Sequence, residues 1–474
     1  MSDGDNKTYY FLGIGGIGMS ALARYFKLSG NNVSGYDRTE SPLTKQLEKE
    51  GIPIHYEDNP ELIPSHIDLV IYTPAIPTDN KEFLYLQSSG IEMLKRSQVL
   101  GHLTRGKKCI AVAGTHGKTT TSAMIAHLLS KTDFGCSAFL GGISKNIDSN
   151  LMVDKNSDYV VVEADEYDRS FLQLHPFYSV ITATDPDHLD IYGTHKNMVD
   201  AFQQYANQTC PEGAIFVKEG LSAHHEQEPE HEYEHEHDNH EHPLLHIGEE
   251  IKQYSYSARS IEADYYAINV RNYNGEIYFD LRTPGKVLYD IELKASSLYN
   301  VENAVAAAAV TLTCGLDEYQ LRAGLKSFAG IKRRFDVRLK TKEIVYIDDY
   351  AHHPREIAAT IESVKYLYPN KRIVGIFQPH LYSRTRDLAD DFAKALEPLD
   401  EIVLLPIYPA REKPIPGVSS GMILRKIENM SKYLCSKEQV FDLIEALCPD
   451  VVLTMGAGDI DRLVPEIEKR LKEE

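Results

Sequence analysis

Residues 113–121 read AGTHGKTTT, two glycines, a lysine and a run of threonines. An apolar, strand-like run (CIAVAG) precedes them, and a helix-like stretch (TTTSAMIAHLLSK) follows. That arrangement suits a bound phosphate chain. Backbone N–H groups and a helix N-terminus cradle the oxygens, Lys118 meets the β- and γ-phosphates, and Thr119 offers a hydroxyl to Mg2+. The general pattern G-x-x-x-x-G-K-[ST] asks for glycine at 112, where this chain has Val112. The loop is therefore a G-T-x-G-K-T variant running from Gly114 through Thr115, His116 and Gly117 to Lys118, Thr119 and Thr120.

Four further stretches place titratable groups after strand-like runs. YVVVEADE (159–166) ends on Glu163, Asp165 and Glu166. Carboxylates beside a phosphate loop suit Mg2+, which prefers oxygen ligands, although a solvated strand end has the same composition. ITATDPDHLDIYG adds three acids and His188, which reads equally as a metal ligand or a hydrogen-bonded structural histidine. YIDDYAHHPRE (346–356) gathers two Asp, Tyr350 and two His, too much titratable chemistry for an ordinary loop. FQPHLYSRTRD (377–387) brings His380, Arg384 and Arg386. Its arginines could clamp a carboxylate or phosphate bidentately, or form a surface salt-bridge cluster. In LYNVENAVAA (298–307), Asn300 and Asn303 lie one turn apart and precede a helix, where capping is the simple explanation.

A second glycine-rich turn stands at the N-terminus. In YYFLGIGGIGMS (9–20), Gly13, Gly15 and Gly18 fill a G-x-G-x-x-G frame between a strand and a helix, and Asp37 follows 19 residues after the last glycine. In a dehydrogenase that acid would bind a ribose hydroxyl of NAD. A second phosphate loop about a hundred residues later raises the question of what the first one holds.

The elements that must carry these groups alternate strand and helix throughout, which argues parallel βαβ sheets. At 474 residues the chain allows roughly three domains of about 150 residues. The expected fold is α/β in three domains. Residues 1–104 form an N-terminal Rossmann-like domain and 105–330 a central P-loop ATPase-type domain. Residues 331–474 form a C-terminal Rossmann-like domain. A His/Glu tract at 224–246 reads as a solvated low-complexity insertion in the central domain, with metal capture by its eight histidines the alternative.

Bulk properties narrow the function. The net charge of −20 owes eight acids to that tract, and the remaining 62 acids against 50 bases leave a modestly acidic body. Neither nucleic acid nor an anionic membrane is an expected partner, since both need a basic surface. Six scattered cysteines without a C-x-x-C pair fit reduced thiols. The N-terminus lacks a basic n-region and an apolar h-region, and NAVAAAAVTLTCGL is too short and too rich in Ala and Thr to span a bilayer. A cytoplasmic location is expected.

Taken in order, GIGGIGMS, AGTHGKTTT, EADE, DPDHLD, GIKRRF, DDYAHHP, QPHLYSRTRD and PIPGVSS closely resemble the motif set of the Mur ligases, ATP-dependent amide-forming enzymes of peptidoglycan synthesis. The resemblance spans almost the whole chain except 224–246. It implies that the first domain binds the UDP end of a nucleotide-sugar, so Gly13, Gly15, Gly16, Ile17, Gly18, Asp37 and Thr73 would serve UDP-N-acetylmuramate and no nicotinamide is needed. The loop Gly114–Thr120 would hold ATP, with Lys118 and Thr119 on its phosphates and the first Mg2+. Glu163 would be a second ligand of that ion, and His188 would ligate a second Mg2+ near an acyl-phosphate. Asn300 and Asn303 would meet adenine, Asp349 the ribose and Arg334 the phosphate chain. His352, His380 and Arg384 would face the amino-acid acceptor and the muramoyl carboxylate, with Lys118, His188, His352 and Arg384 the catalytic set.

The implied reaction joins L-alanine to the muramoyl carboxylate of UDP-N-acetylmuramate, in a monomer or weak homodimer. QPHLYSRTRD and DPDHLD favour this branch over a recycling branch that attaches a preformed tripeptide to the same sugar. An NAD-dependent dehydrogenase with an accessory ATPase domain is the distant alternative, and it leaves the third domain's His and Arg motifs unexplained. Departures from the family pattern also carry meaning. Gln203 stands where several relatives have a carbamylated lysine, so no carbamate is expected. Tyr299 replaces a frequent histidine and could still stack on adenine, and Ala351 replaces a frequent glycine.

Overall fold

The computed structural model of the chain describes residues 6–186, 189–222, 244–294, 297–410 and 412–473. His188 and positions 224–243 of the His/Glu tract lie outside the described residues.

The N-terminal strands β1 (Thr8–Leu12), β2 (Asn32–Tyr36), β3 (Ile54–His55), β4 (Leu69–Tyr72) and β5 (Met93–Lys95) form a parallel sheet in the order β3-β2-β1-β4-β5. Helices α1 (Ile17–Leu28), α2 (Pro42–Lys49), α3 (Lys81–Ser89) and α4 (Arg96–Thr104) connect them. The aromatic run of β1 alternates as a strand buried on both faces must. Tyr9 and Phe11 join Phe26 in one core, while Tyr10 and Leu12 join Tyr36, Val70 and Leu86 in another. Local chemistry fixes the helix ends. Ser41 accepts the Thr44 N–H at 3.1 Å with Pro42 in the first turn, and Asn80 accepts the Phe83 N–H at 2.8 Å.

A second, mixed sheet has ten strands: β6 (Lys108–Ala113), β7 (Ser137–Ser144), β8 (Ser149–Met152), β9 (Tyr159–Glu163), β10 (Tyr178–Ile181), β11 (Ala214–Lys218), β12 (Gln253–Ser257), β13 (Tyr265–Tyr273), β14 (Glu276–Arg282) and β15 (Val287–Leu293). Their order is β15-β14-β13-β12-β11-β10-β6-β9-β7-β8. Its helices are α5 (Lys118–Leu129), α6 (Leu189–Tyr192), α7 (His195–Asn207), α8 (Leu298–Thr313) and α9 (Glu318–Ser327). The apolar interiors of β6, β9 and β10 are buried, and α5 is buried from Thr119 to Leu129. A helix apolar on nearly every side belongs between layers.

The third sheet holds β16 (Asp336–Lys340), β17 (Val345–Asp349), β18 (Ile373–Phe377), β19 (Glu401–Leu404), β20 (Lys432–Leu434) and β21 (Val451–Met455) in the order β16-β17-β21-β18-β19-β20. Helices α10 (Pro354–Leu367), α11 (Tyr382–Asp387), α12 (Ala389–Leu396), α13 (Ser420–Lys426), α14 (Val440–Leu447) and α15 (Val464–Glu473) alternate with these strands. Tyr346, Val374, Val403, Val452, Ile444 and Ile467 are among the core residues packed here.

Two features depart from the alternation expected above. The pairs β7–β8 and β16–β17 are antiparallel. Residues 244–250, which close the His/Glu tract, form no strand but a bridge from Leu245 to Ser222 before turning where the Ile251 N–H meets the Gly248 carbonyl at 3.0 Å.

The chain divides into two compact units. One comprises Met1–Ile268, Asp280–Tyr289 and Glu302–Phe328, the other Asn269–Phe279, Asp290–Val301 and Ala329–Glu474. No helix among the described residues is long and apolar enough to cross a membrane.

Candidate functional site

In the first unit, the N-terminal glycine turn leaves β1 and enters α1. Gly13 has φ +82°, and a Cβ there would lie 2.6 Å from the Thr73 methyl, so Thr73 sits directly against the turn. Asp37, at the end of the neighbouring strand, accepts the Gly15 N–H at 2.8 Å and the Thr39 N–H at 3.1 Å. Its carboxylate thus shapes the turn itself. Gly16 caps α1 with no side-chain acceptor, so backbone N–H groups head the helix, and Ile17 stands exposed beside them. The Arg96 guanidinium packs against Gly18 and donates to Asp165 at 2.9 Å.

The phosphate loop leaves β6 and enters α5. Val112 lies within β6, paired with Glu163 of β9, so the strand runs on through Ala113 and the loop proper begins at Gly114. Gly117 (φ +81°) caps α5, again with no side-chain acceptor. Thr115 is held by its backbone, its N–H donating to the Ala183 carbonyl at 3.1 Å, while its hydroxyl oxygen is buried with no hydrogen-bond partner among the described residues. His116 Nε2 lies 3.7 Å from the Asp185 carboxylate of the DPDH segment. Thr119 and Thr120 are buried at the head of the helix, and Thr121 donates to Asn303 Oδ1 at 3.1 Å.

Lys118 is deeply set. Its ammonium donates to the Gly114 carbonyl at 2.6 Å and sits 2.8–2.9 Å from both oxygens of Glu166. Burial opposes its charge, but Glu166, Glu163 and Asp165 together outweigh that and hold the Lys118 pKa above its ordinary value. Glu163 ends β9, and its Oε2 is buried without a hydrogen-bond partner among the described residues. A Cβ on Gly141 of β7 would fall 2.0 Å from that same oxygen. An orphaned carboxylate oxygen beside a phosphate loop is what a hard cation would satisfy, so Glu163 and Thr119 fit Mg2+ as its protein ligands. Among the described residues no three His, Cys, Asp or Glu side chains converge as a metal cluster.

In the second unit, the motifs after β17, β18 and β19 form a chain of rings and charges. Tyr350 lies between Arg333 and Arg334, whose guanidinium carbons stand 5.3 and 4.9 Å from its ring centre. Arg333 (φ +64°) is tied to Asp348 at 3.2 Å and to the Gly456 carbonyl at 2.6 Å. Arg334 lies 3.9 Å from Glu356. His352 Nδ1 is 3.1 Å from the Tyr350 carbonyl and 3.2 Å from Glu356. The rings of His352 and His380 meet edge to face at 6.3 Å, and His380 stacks on Tyr408 at 5.8 Å. Arg384, on α11, has Nη1 buried with no hydrogen-bond partner among the described residues. Arg386, by contrast, pairs with Asp387 on the surface, the simpler of its two readings.

Asp349 is nearly saturated. One oxygen accepts Tyr299 and Thr360 hydroxyls at 3.0 and 2.9 Å, and the other accepts the Ala351 N–H at 3.0 Å. Burial, only partly offset by Arg334, pushes its pKa up to about 6. Tyr299 sits edge-on to Phe335 with its hydroxyl committed to Asp349.

The reading of Asn300 and Asn303 needs one correction. Both lie inside α8 and do not precede it, because Ser297 accepts the Asn300 N–H at 3.2 Å and starts the helix earlier. Gln203, on α7, exchanges both amide hydrogen bonds with the His246 backbone at 2.7 and 2.8 Å, fixing the exit of the His/Glu tract. Gly141, Tyr408 and Glu412 were not assigned to the site from the sequence, and Glu166, read there as a carboxylate suited to Mg2+, instead pairs with Lys118.

Comparison with known proteins places these features. Three family models match in sequence: "Mur ligase family, catalytic domain" over residues 8–108, "Mur ligase middle domain" over 112–311, and "Mur ligase, glutamate ligase domain" over 333–458. A UDP-N-acetylmuramate–L-alanine ligase of Parabacteroides distasonis is 49% identical over 467 residues, 98% of this chain and 96% of its own. One from Porphyromonas gingivalis is 48% identical over 472 residues, covering 98% and 99%. Among solved structures, the UDP-N-acetylmuramate-alanine ligase of Thermotoga maritima superposes with a TM-score of 0.81 at 29% identity, covering 98% of this chain and 99% of that one. A murein peptide ligase of Psychrobacter arcticus shares the fold, with a TM-score of 0.66 at 21% identity and 98% coverage of both chains. The chain belongs to the Mur ligase family and has its three-domain α/β fold.

Proposed function

We propose that this chain joins L-alanine to the muramoyl carboxylate of UDP-N-acetylmuramate, consuming ATP, in the cytoplasmic assembly of peptidoglycan precursor. The observation that carries this is the near-full-length identity of 48–49% to relatives named for that reaction. We divide the work among domains 1–104, 105–330 and 331–474, for the nucleotide-sugar, ATP and the amino acid respectively, acting as a monomer or weak homodimer.

In this reading the backbone turn Gly13–Gly18, with Ile17, Asp37 and Thr73, receives the UDP-sugar. The loop Gly114–Thr120 and α5 hold the ATP phosphates, and Asn300, Asn303, Asp349 and Arg334 receive adenine, ribose and phosphate. Lys118 offsets the charge of two anions brought together as the muramoyl carboxylate oxygen attacks the γ-phosphorus and ADP leaves. Thr119 and Glu163, with His188, would hold the divalent ions, two in our reading. Such ions neutralise phosphate charge and hold the reacting oxygens in line. The alanine amine, once it has lost a proton, attacks the acyl carbon and phosphate departs. Arg384 would anchor the amino acid's carboxylate bidentately, and His380 and His352 are our candidates to take the amine proton.

Phosphate release from ATP, measured with UDP-N-acetylmuramate across amino acids and the recycling tripeptide, tests the proposal. Turnover with L-alanine well above the tripeptide is expected, and the reverse order would replace it with the recycling reaction. Calorimetric titration completes the test. Micromolar NADH binding with no UDP-sugar binding would return the first domain to a dehydrogenase.

A further inference from the structure

Helix α11 carries Arg384, yet it has no cap of its own. Its N-terminal residue, Leu381, is apolar and holds φ +71°, a left-handed value that side chains other than glycine rarely adopt. The missing acceptor comes from 29 residues downstream, where the Glu412 carboxylate takes the Ser383 N–H at 2.9 Å and also the Ser383 hydroxyl. The same loop ties down the rest of the segment. Tyr408 N–H donates to the Pro379 carbonyl at 2.8 Å, and Leu381 N–H donates to the Tyr408 carbonyl at 2.9 Å. The Tyr408 ring stacks on His380 with an interplanar angle of 22°. The loop is itself closed by the Glu412 N–H on the Pro409 carbonyl at 2.9 Å. From this clamped segment Arg384 extends with a buried Nη1 that has no hydrogen-bond partner among the described residues, which calls for an anionic acceptor.

We propose that Glu412 is a positioning residue for the amino-acid site: by gripping Ser383 it sets the angle at which Arg384 meets the carboxylate of the incoming amino acid. The proposal rests on the reading of Arg384 given above. A carboxylate is suited to the task because it accepts from an N–H and an O–H together, each bond charge-assisted. An amide in its place keeps the shape but removes the charge from both bonds, and the Ser383 hydroxyl must turn from donating to accepting.

Steady-state kinetics, varying each substrate in turn, test this in the full-length chain with Glu412→Gln, Ser383→Ala, Arg384→Lys and the double variant Glu412→Gln/Arg384→Lys. Glu412→Gln is expected to raise the L-alanine KM about fivefold or more while the KM values for ATP and UDP-sugar stay within about twofold. The effect should largely vanish in the Arg384→Lys background, where the geometry being protected is already lost. If Arg384→Lys raises the alanine KM but Glu412→Gln and Ser383→Ala leave it unchanged, the positioning role is overturned and the site reading stands. If Arg384→Lys leaves the alanine KM unchanged, the site reading falls, and this proposal with it. A rise in all three KM values together with a lower Tm marks a merely structural role and also overturns it. Should Glu412→Gln fail to fold, Ser383→Ala, which deletes only the hydroxyl, decides alone by the same alanine KM.

Discussion

Gly141 decides whether Glu163 can turn its carboxylate toward the phosphate loop. An added Cβ would overlap Oε2 at 2.0 Å, and the flexible end of Glu163 is what would yield. Gly141→Ala should therefore fold normally yet displace the proposed Mg2+ ligand. The Mg2+ concentration for half-maximal turnover is expected to rise on the order of 10-fold or more, and an unchanged Mg2+ titration would remove Glu163 from the metal site. Asp349 allows a pH test. Burial raises its pKa from 3.8 to about 6, so its stabilising contribution is complete below the unfolded value and is lost as pH climbs through about 6. Asp349→Asn lacks that loss. Its Tm minus that of wild type should rise between pH 4 and pH 7, and a flat difference would contradict the burial argument. Side chains at strand ends were legible because their chemistry is concentrated in short runs. Their partners were not. Glu166 reaches Lys118 across 48 residues, and Glu412 reaches Ser383 across 29, distances no local pattern encodes.

At the scale of elements, the βα rhythm was readable wherever apolar runs were continuous, as in β6, β9, β10, β17 and β21. The strands β13, β14 and β15 escaped notice because each mixes buried and exposed positions with Tyr, Asn, Asp and Glu, and their pairing comes from the sheet edge they join. The His/Glu tract was judged a single solvated insertion through residue 246, and its last residues alter that judgement. Leu245 is fully buried and donates its N–H to the Leu221 carbonyl at 2.9 Å, while Gln203 clamps His246. Replacing 224–243 with a short Gly/Ser linker should leave turnover and Tm close to wild type, since loop length carries a small entropic cost. Leu245→Ala should instead cost about 2–5 kcal/mol of stability. Denaturant unfolding of the two variants separates them, and a Leu245→Ala protein as stable as wild type would show the tract to be peripheral to its end.

At the scale of the molecule, the expected division at residue 104 meets a compact unit that runs through Ile268. A buried polar knot joins the two sheets there. Arg24 of α1 forks onto Glu50 at 2.8 and 2.9 Å and also donates to Asn150 of β8. Asn150, itself fully buried, donates to the Ile17 carbonyl at 2.5 Å and to Ser20 at 3.0 Å. Ile17 opens α1 immediately after the glycine turn, so the knot holds the head of that helix from the side of the second sheet. Asn150→Ala would strand a buried Arg24 N–H away from water, while the Ile17 carbonyl keeps the Ser20 hydroxyl at 2.9 Å. A loss of about 1–3 kcal/mol is expected, the cost of one buried donor left unpaired. Hydrogen exchange locates the damage. Amides of the glycine turn, α1 and the β7–β8 hairpin should exchange faster together, and UDP-sugar affinity should fall although Asn150 belongs to the second sheet. Ser20→Ala, which removes one partner of the knot and leaves Arg24 paired, should show a smaller effect of the same kind. Faster exchange in the hairpin alone, with the glycine turn and its ligand affinity unaltered, would mean that the first sheet positions its turn unaided and that the knot only fastens one domain to the next.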